Sequence, residues 1–376
     1  MRKEPEVTQV EPQDIPAIVR ETYPAGISLA LVGSPGTAKS ATIRLCAEVV
    51  AEITGDNLGF PMTVVEKKTS DYIRKKDEYG LKMYNTTYFE PEDFVFPSVD
   101  AEAKKYERFV IDHLPRRPNS LVSFEEIAKK PDLFKIMAQL MNEGRLGLDY
   151  FYPENTYTMC TSNLSTDGAG AFDFHTDLIN RMMILEVMPT ARGFCMNHKD
   201  ELHDSIMGLL KWFPELILTF SSNAKKKAFA SPRSIWNLNK MLLNGTDFMK
   251  HQDGQRMMSG LVGEKFTQEY RAMIRAVSTI DLDAILSDPD SHRDEIQRLK
   301  NDRSNNGKAL ICSILCHLAK RVRKNASAYN NIVKFMEMID DEAAVTFTHM
   351  ALKVNKDVEK QPEFGRHYAR NQGFYF

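Results

Sequence analysis

The chain has 376 residues, of which 43% are hydrophobic, and its 49 Lys and Arg residues against 51 Asp and Glu residues give a formal net charge of −2. This composition is typical of a globular protein and excludes disorder along the whole chain. The near-neutral charge argues against a protein whose main task is to coat nucleic acid or an anionic membrane, because such binding depends largely on net positive charge.

Short apolar runs alternate with helical periodicity through about residue 190, which predicts a parallel sheet with crossover helices. The predicted strands are residues 28–32, 62–66, 120–124, 157–161 and 183–187. The predicted helices between them are residues 39–54, 131–143 and 173–180. Residues 67–118 show little periodicity, and we interpret them as a surface insertion.

Helical periodicity dominates after Pro189. The predicted helices are residues 200–212, 232–243, 263–277, 308–324 and 331–340. The polar stretch 287–306 is expected to be the most flexible part of this region. The sequence therefore predicts an α/β fold followed by an all-α part, with a core at residues 1–190, a helical segment at 191–286 and a helical C-terminal extension at 287–376.

The apolar runs are short, and none approaches the roughly 20 residues that a transmembrane helix needs. The first residues, Met1-Arg2-Lys3-Glu4-Pro5, are followed by acidic residues and prolines instead of the apolar core of a secretory signal. The 5 cysteines are scattered and odd in number, which is typical of reduced thiols. We therefore expect a cytoplasmic protein without membrane contact and without structural disulfides.

The strongest local pattern is Gly33-Ser34-Pro35-Gly36-Thr37-Ala38-Lys39-Ser40, between a predicted strand and a predicted helix. In a phosphate-binding loop, backbone N–H groups and the positive end of the following helix face the phosphates of a nucleotide. Lys39 is expected to contact the phosphates and the Ser40 hydroxyl to bind Mg²⁺. Ala38 departs from the pattern G-x-x-x-x-G-K-S/T, which has Gly at this position. The alternative is a chance Gly/Ser turn before a lysine.

Two adjacent acids follow the predicted strand 120–124. Glu125 is expected to lie in the Mg²⁺ shell, and Glu126 to face the attacking water as the base. The first acid of such a pair is normally Asp, and Glu125 is one methylene longer. The alternative is that both acids stabilise the N-terminus of a following helix.

Further segments follow in the order of a known family. Residues 125–131 and 139–144 are similar to its second acidic motif and the helix after it, and residues 145–155 to the hairpin before its sensor strand. Residues 157–163 end in Asn163 at the sensor 1 position. The stretch Asn180-Arg181-Met182 is similar to an Asp-Arg-Phe stretch, and Ser231-Pro232-Arg233 to the start of the sensor 2 helix. In this order the chain resembles the MoxR-type AAA+ ATPases, close kin of the dynein-related AAA modules.

The resemblance implies an AAA+ fold with a helical lid at residues 191–286, Mg²⁺-dependent ATPase activity, and ATP and Mg²⁺ as cofactors. Asn163 would contact the γ-phosphate or the attacking water. Arg233, at the second position of a capped helix, would point to the helix mouth, where anions are favoured. Arg181 would be the arginine finger for the neighbouring subunit's nucleotide. Arg145 is the rival finger, and Arg181 could instead neutralise a helix C-terminus.

The resemblance further implies a ring-forming homo-oligomer, a hexamer, that remodels a protein client as a chaperone. Residues 260–266 and 285–289 resemble segments of MoxR-type ATPases that work beside a protein with a von Willebrand factor A-like domain, which implies such a partner. Two rival functions stay open. One is a nucleic-acid-stimulated motor, whose basic central loop would be residues 72–96. The other is a nucleotide-gated assembly switch with slow turnover, because both core motifs are altered.

Two other features invite a functional interpretation. Cys312, Cys316 and His317 could form part of a metal site, but a spacing of four on an apolar helix face favours core packing. The basic clusters at residues 116–117, 225–227 and 321–324 could contact nucleic acid. They are short, and in a slightly acidic chain the solvated surface is the favoured interpretation.

Overall fold

The computed structural model describes residues 7–58, 62–63, 78–100, 102, 105–110, 114–116, 118–148, 150–164, 167, 180–221, 227–276, 282–288, 290–302, 311, 314–315, 318–319 and 321–371. The chain divides into two compact units. The first comprises Met1–Pro189 with Phe220–Lys225, and the second comprises Thr190–Thr219 with Lys226–Phe376. Among the described helices, none is both long and apolar enough to cross a membrane.

A parallel sheet forms the centre of the first unit. The strands in chain order are β1 (Thr8–Val10), β2 (Ser28–Val32), β3 (Asn57–Leu58), β4 (Met62–Thr63), β5 (Glu78–Asn85), β6 (Val95–Asp100), β7 (Lys105–Val110), β8 (Ser120–Glu125), β9 (Arg145–Leu146), β10 (Tyr150–Phe151), β11 (Thr156–Ser162) and β12 (Met182–Val187). Eight of them form one sheet in the order β1-β12-β2-β11-β8-β5-β3, with β4 also pairing with β5. All pairs in this sheet are parallel, whereas β6–β7 and β9–β10 are antiparallel hairpins.

Both faces of the sheet are buried at its central strand β2. The described α-helices of the first unit are α1 (Ile15–Thr22), α2 (Lys39–Thr54) and α3 (Phe134–Glu143), the last preceded by a 3₁₀ turn at Pro131–Leu133. Leu29 and Leu31 of β2 pack with α1 and α2, while Ala30 packs with α3 on the other side. Successive strand residues point to opposite faces, so a central strand buried on both faces is apolar throughout.

The described elements of the second unit are helical. They are α4 (Ala191–Asn197), α5 (Asp204–Trp212), α6 (Pro232–Leu243), α7 (Gly254–Val262), α8 (Glu264–Ala276), α9 (Leu282–Ser287), α10 (Arg293–Asn301), α11 (Ala328–Ile339), α12 (Asp341–Val354) and α13 (Pro362–Arg370), with residues 321–324 also helical. One apolar cluster is centred on α5 to α8 and another on α11 and α12. Met207 and Trp212 of α5 pack against both clusters.

The predicted fold class, a parallel α/β sheet followed by helices, is confirmed by these elements. Helices α2 and α6 begin and end at the predicted residues. Strands β8, β11 and β12 each extend one or two residues beyond the prediction. The predicted helix at residues 173–180 has only Asn180, a turn residue, among the described residues, and much of the predicted helix 308–324 lies outside them.

Two expectations are wrong in part. Residues 78–85, which we interpreted as part of a surface insertion, form β5 inside the sheet. Lys82 interrupts its apolar pattern, but the Lys82 amine donates to the carbonyl of Leu114 at 3.2 Å, so the charge is accommodated beside the sheet. The polar stretch 287–306, expected to be flexible, contains α10, because Ile296 and Leu299 are buried in the C-terminal apolar cluster.

Candidate nucleotide site

The loop between β2 and α2 turns tightly at two glycines. Gly33 has a φ of +154° and Gly36 a φ of +83°. A Cβ atom at Gly33 would lie 2.9 Å from the backbone oxygen of Val187 in β12, so a side chain at this position requires the neighbouring strand to shift. The Thr37 hydroxyl donates to the carbonyl of Ser34 at 2.9 Å and closes the loop.

Ala38 adopts a glycine-like backbone conformation. Its φ of 74° and ψ of 14° lie in the left-handed region, which costs a residue with a Cβ about 1–2 kcal/mol. Its carbonyl accepts the N–H of Thr42 at 2.9 Å, which is the first hydrogen bond of α2. The pattern G-x-x-x-x-G-K-S/T has glycine at this position, and the left-handed conformation explains that preference. The loop keeps this conformation although the residue is alanine.

The Lys39 side chain is buried against the loop that precedes it. Its Nζ donates to the carbonyls of Gly33 at 2.6 Å and Ser34 at 3.0 Å. It also donates to Oδ1 of Asn163 at 3.2 Å. The predicted phosphate lysine and the predicted sensor asparagine are thus in direct contact.

The two acids at the end of β8 have different surroundings. Oε1 of Glu125 is buried and has no hydrogen-bond partner among the described residues. Glu126 has a φ of +60°, and its Oε2 accepts from Nδ2 of Asn163 at a long 3.5 Å. The same oxygen forms an ion pair with the Lys129 ammonium. Lys39, Asn163 and Glu126 therefore form one continuous polar chain.

The sheet explains why these residues meet. Val32 at the end of β2 pairs with Ser162 of β11, and Cys160 of β11 pairs with Phe124 of β8. Because the strands are parallel, their carboxyl ends lie at one edge, which is where α/β sheets bind ligands. The predicted loop 33–40, the acid pair and Asn163 are brought together at this edge.

The donor set at this edge fits a magnesium ion. An unpartnered buried carboxylate oxygen is costly, and a cation at Glu125 would satisfy it. Ser40 lies in the first turn of α2, at the loop end. Among the described residues no group of three His, Cys, Asp or Glu side chains could hold a metal. Magnesium in phosphate sites needs only one or two carboxylates together with the phosphates.

The two finger candidates lie away from this edge. Arg181 is exposed and directly precedes β12, whose first residue Met182 pairs with Ser28. The five residues of β2 lie between Ser28 and the loop at the other end of this strand. At about 3.3 Å per residue, the distance from Arg181 to the loop along the strand is roughly 16 Å. Arg145 begins the predicted hairpin and pairs with Glu143, Nε to Oε2, at 2.6 Å. Residues 168–179, which would show whether Arg181 ends a helix, lie outside the described residues.

Arg233 belongs to the second unit. Ser231 caps α6, its hydroxyl accepting the N–H of Ser234 at 3.3 Å while the Ser234 hydroxyl accepts the N–H of Ser231 at 2.9 Å. Arg233 is the second residue of this helix and is exposed. The predicted helix start is confirmed, and the role of Arg233 in nucleotide binding stays a prediction.

Two side chains at the site were missed by the sequence analysis. Asp167 accepts a hydrogen bond from the Ser34 hydroxyl at 3.3 Å across 133 residues of sequence. Lys129 pairs with Glu126 from the turn after β8. An acid four residues after Asn163 was the only sequence signal for Asp167, and a single acid in a polar loop does not identify a site.

Comparisons with known proteins give structural similarity alone. The sequence matches no protein-family model and no curated protein. Similar solved structures include NtrX of Brucella abortus, with 10% identity and a TM-score of 0.34 over 92% of this chain and 69% of that chain. RuvB of Thermotoga maritima has 12% identity and a TM-score of 0.27 over 83% of this chain and 74% of that chain. PCH-2 of C. elegans has 12% identity and a TM-score of 0.27 over 92% of this chain and 67% of that chain.

Such scores do not establish the fold, which is defined by the strand order and the loop described above. A parallel sheet, a tight glycine loop after β2 and a lysine at the start of α2 define an α/β protein, and this is the arrangement that a phosphate-binding loop requires.

Proposed function

We propose that this chain is an AAA+ ATPase that binds ATP with Mg²⁺ and uses hydrolysis to remodel a protein client. The observation that carries the proposal is the contact chain from Lys39 through Asn163 to Glu126 at the carboxyl edge of the sheet. A phosphate lysine, a polar sensor and a base are the parts that phosphoryl transfer to water requires, because catalysis depends on positioning and charge stabilisation.

Each side chain has a chemical role in this proposal. The Lys39 ammonium would exchange neutral carbonyl acceptors for phosphate oxygens, which form stronger, charge-assisted hydrogen bonds. Glu126 would take a proton from the attacking water, which Asn163 helps to hold. Glu125 and Ser40 would hold Mg²⁺, whose charge offsets the negative charge on the transferred phosphoryl group.

The ring is the second part of the proposal. Arg181 lies at the opposite edge of the sheet from its own phosphate loop, which supports a role on a neighbouring subunit. A homo-oligomer, a hexamer by resemblance, would place this guanidinium at the adjoining nucleotide. A MoxR-like chaperone role in the cytoplasm, beside a protein with a von Willebrand factor A-like domain, rests on the resemblance of residues 260–266 and 285–289.

A nucleotide-gated switch with slow turnover is the second candidate. Two observations favour it, the left-handed Ala38 in the phosphate loop and the Lys129 ammonium paired with the proposed base. The first strains the loop, and the second engages a carboxylate oxygen of the proposed base in an ion pair. A nucleic-acid motor has less support, because residues 78–85 of its proposed loop are a sheet strand and residues 72–77 lie outside the described residues.

Two substitutions test the site. We expect Lys39→Ala to abolish ATP binding, since it removes the buried ammonium. Glu126→Gln should preserve binding and lower hydrolysis by about a hundredfold or more, because an amide cannot accept the proton. Lys135→Ala, at an exposed position in α3, serves as the matched control and should behave as the wild type.

The measurements are equilibrium ATP titration, steady-state phosphate release and light scattering with and without ATP. Normal hydrolysis by Glu126→Gln would show that the base is assigned to the wrong residue. Normal ATP binding by Lys39→Ala would show that this loop does not bind ATP.

A further inference from the structure

Asp167 reaches the phosphate loop from the segment after β11. Its backbone N–H donates to the carbonyl of Leu164 at 3.1 Å, and its Oδ1 accepts from the Ser34 hydroxyl at 3.3 Å. The other carboxyl oxygen, Oδ2, is buried and has no hydrogen-bond partner among the described residues. The hydrolysis proposed above uses neither this carboxyl nor its contact.

Charged groups on two neighbouring elements act on this carboxyl in opposite directions. Burial raises the pKa of Asp167 above its ordinary value, and the nearby carboxylate of Glu186 in β12 also raises it. Hydrogen bonding with Ser34 and the Leu164 backbone, and the positive charge of Lys39 in α2, lower this pKa. Lys39 is therefore a counter-charge that helps to keep Asp167 ionised.

A triphosphate in this loop would disfavour the ionised carboxyl in two ways. The Lys39 ammonium would be drawn to the phosphates and would compensate Asp167 less. The phosphates would also bring further negative charge to the loop that Asp167 contacts, and like charges disfavour ionisation. Because coupling between two binding equilibria is reciprocal, a proton on Asp167 would in turn strengthen triphosphate binding.

We infer that Asp167 is a positioning residue that opposes nucleotide binding: its carboxylate ties the loop to the segment after β11 through Ser34, and its negative charge disfavours a triphosphate in that loop. The inference rests on the proposed function, since it requires a nucleotide in this loop. The hydrogen bond alone does not require an acid, because an asparagine oxygen would accept it equally well. A carboxylate with one buried, unpartnered oxygen is the costlier choice for a purely structural contact.

The test is Asp167→Asn in the full chain, with MgATP and MgADP titrated from about pH 4, near the ordinary aspartate pKa, to about pH 8.5. The quantity compared is the wild-type dissociation constant divided by that of the variant, because this ratio removes the titration of the nucleotide itself. For ATP we expect the ratio to rise from near one at low pH to about ten at high pH, which corresponds to a coupling of about one pKa unit. The rise should be smaller for ADP, which carries less charge.

The matched control is Asp132→Asn, which removes an exposed carboxylate from the 3₁₀ turn before α3 and should give a ratio near one at every pH. Asp167→Ser, a smaller polar side chain, should give the same pH dependence as Asp167→Asn if charge is the cause. Thermal unfolding of each variant checks that it is folded.

A ratio near one for both Asp167 variants at every pH, or weaker ATP binding by them, overturns the inference. Lys39→Ala in the same assay distinguishes a failure of this inference from a failure of the proposed function. If the wild type binds ATP and Lys39→Ala does not, a flat ratio refutes the role of Asp167 alone. If the wild type does not bind ATP, the proposed function fails and this inference with it.

Discussion

Replacing Ala38 with glycine removes one methyl group from the phosphate loop and should stabilise the protein. The residue has a φ of 74°, and this left-handed conformation costs a side chain with a Cβ about 1–2 kcal/mol. Glycine avoids that cost, but its freedom in the unfolded chain offsets about 0.4–1 kcal/mol of the gain. We therefore expect Ala38→Gly to raise the free energy of unfolding by about 0.5–1 kcal/mol.

The matched control is Ala41→Gly, three residues further along. Ala41 is exposed in the first turn of α2, where glycine lowers helix stability by up to about 1 kcal/mol. The same alanine-to-glycine change should thus have effects of opposite sign on the free energy of unfolding at the two positions. Urea unfolding followed by circular dichroism measures both midpoints. If Ala38→Gly destabilises the protein as Ala41→Gly does, the reasoning from the backbone conformation is refuted.

The same loop should limit the rate of hydrolysis. Ala38 and the longer Glu125 leave every charge and donor in place, but a shift of about 1 Å in a reacting group can cost about a hundredfold in rate. We expect wild-type turnover below about 1 s⁻¹, against a typical enzyme median near 10 s⁻¹. Ala38→Gly combined with Glu125→Asp should raise turnover more than it tightens ATP binding. A fast wild type, or a slower double mutant in steady-state assays, would contradict this expectation.

Arg181→Ala and Glu126→Gln subunits should each be inactive alone but regain part of the activity when mixed, because an intact finger can then face an intact acidic site. Phosphate release by the mixture decides this, and activity of a proven monomer independent of concentration would exclude the finger. Gly263→Ala should destabilise the second unit, since φ is +82° and the new Cβ would lie 2.5 Å from the backbone oxygen of Ala228. Gly260→Ala, where the Cβ meets nothing within 4 Å, is the control in thermal unfolding. Equal melting temperatures for both variants would contradict the steric argument.

The central strands and the loop after β2 could be predicted because their signals are local. Residues 28–32 are apolar enough to be buried on both faces, and the spacing from Gly33 to Lys39 is set by the turn itself. Strand β5 was not predicted because Lys82 breaks the apolar pattern. The carbonyl of Leu114, 32 residues further along the chain, accepts a hydrogen bond from Lys82 and helps to accommodate its charge.

The sequence by itself determined which residue types stand in the phosphate loop, after β8 and after β11, since each pattern lies within about ten residues of chain. The tertiary structure alone decided how they meet. Asn163 reaches Lys39 over 124 residues, and Asp167 reaches Ser34 over 133. The physical reason is that parallel strands align their carboxyl ends regardless of the chain between them, so the contacts at this edge depend on the strand order. A sequence pattern identifies candidate residues within one segment. Which charged side chains of different segments compensate each other depends on the distances between them in the folded sheet.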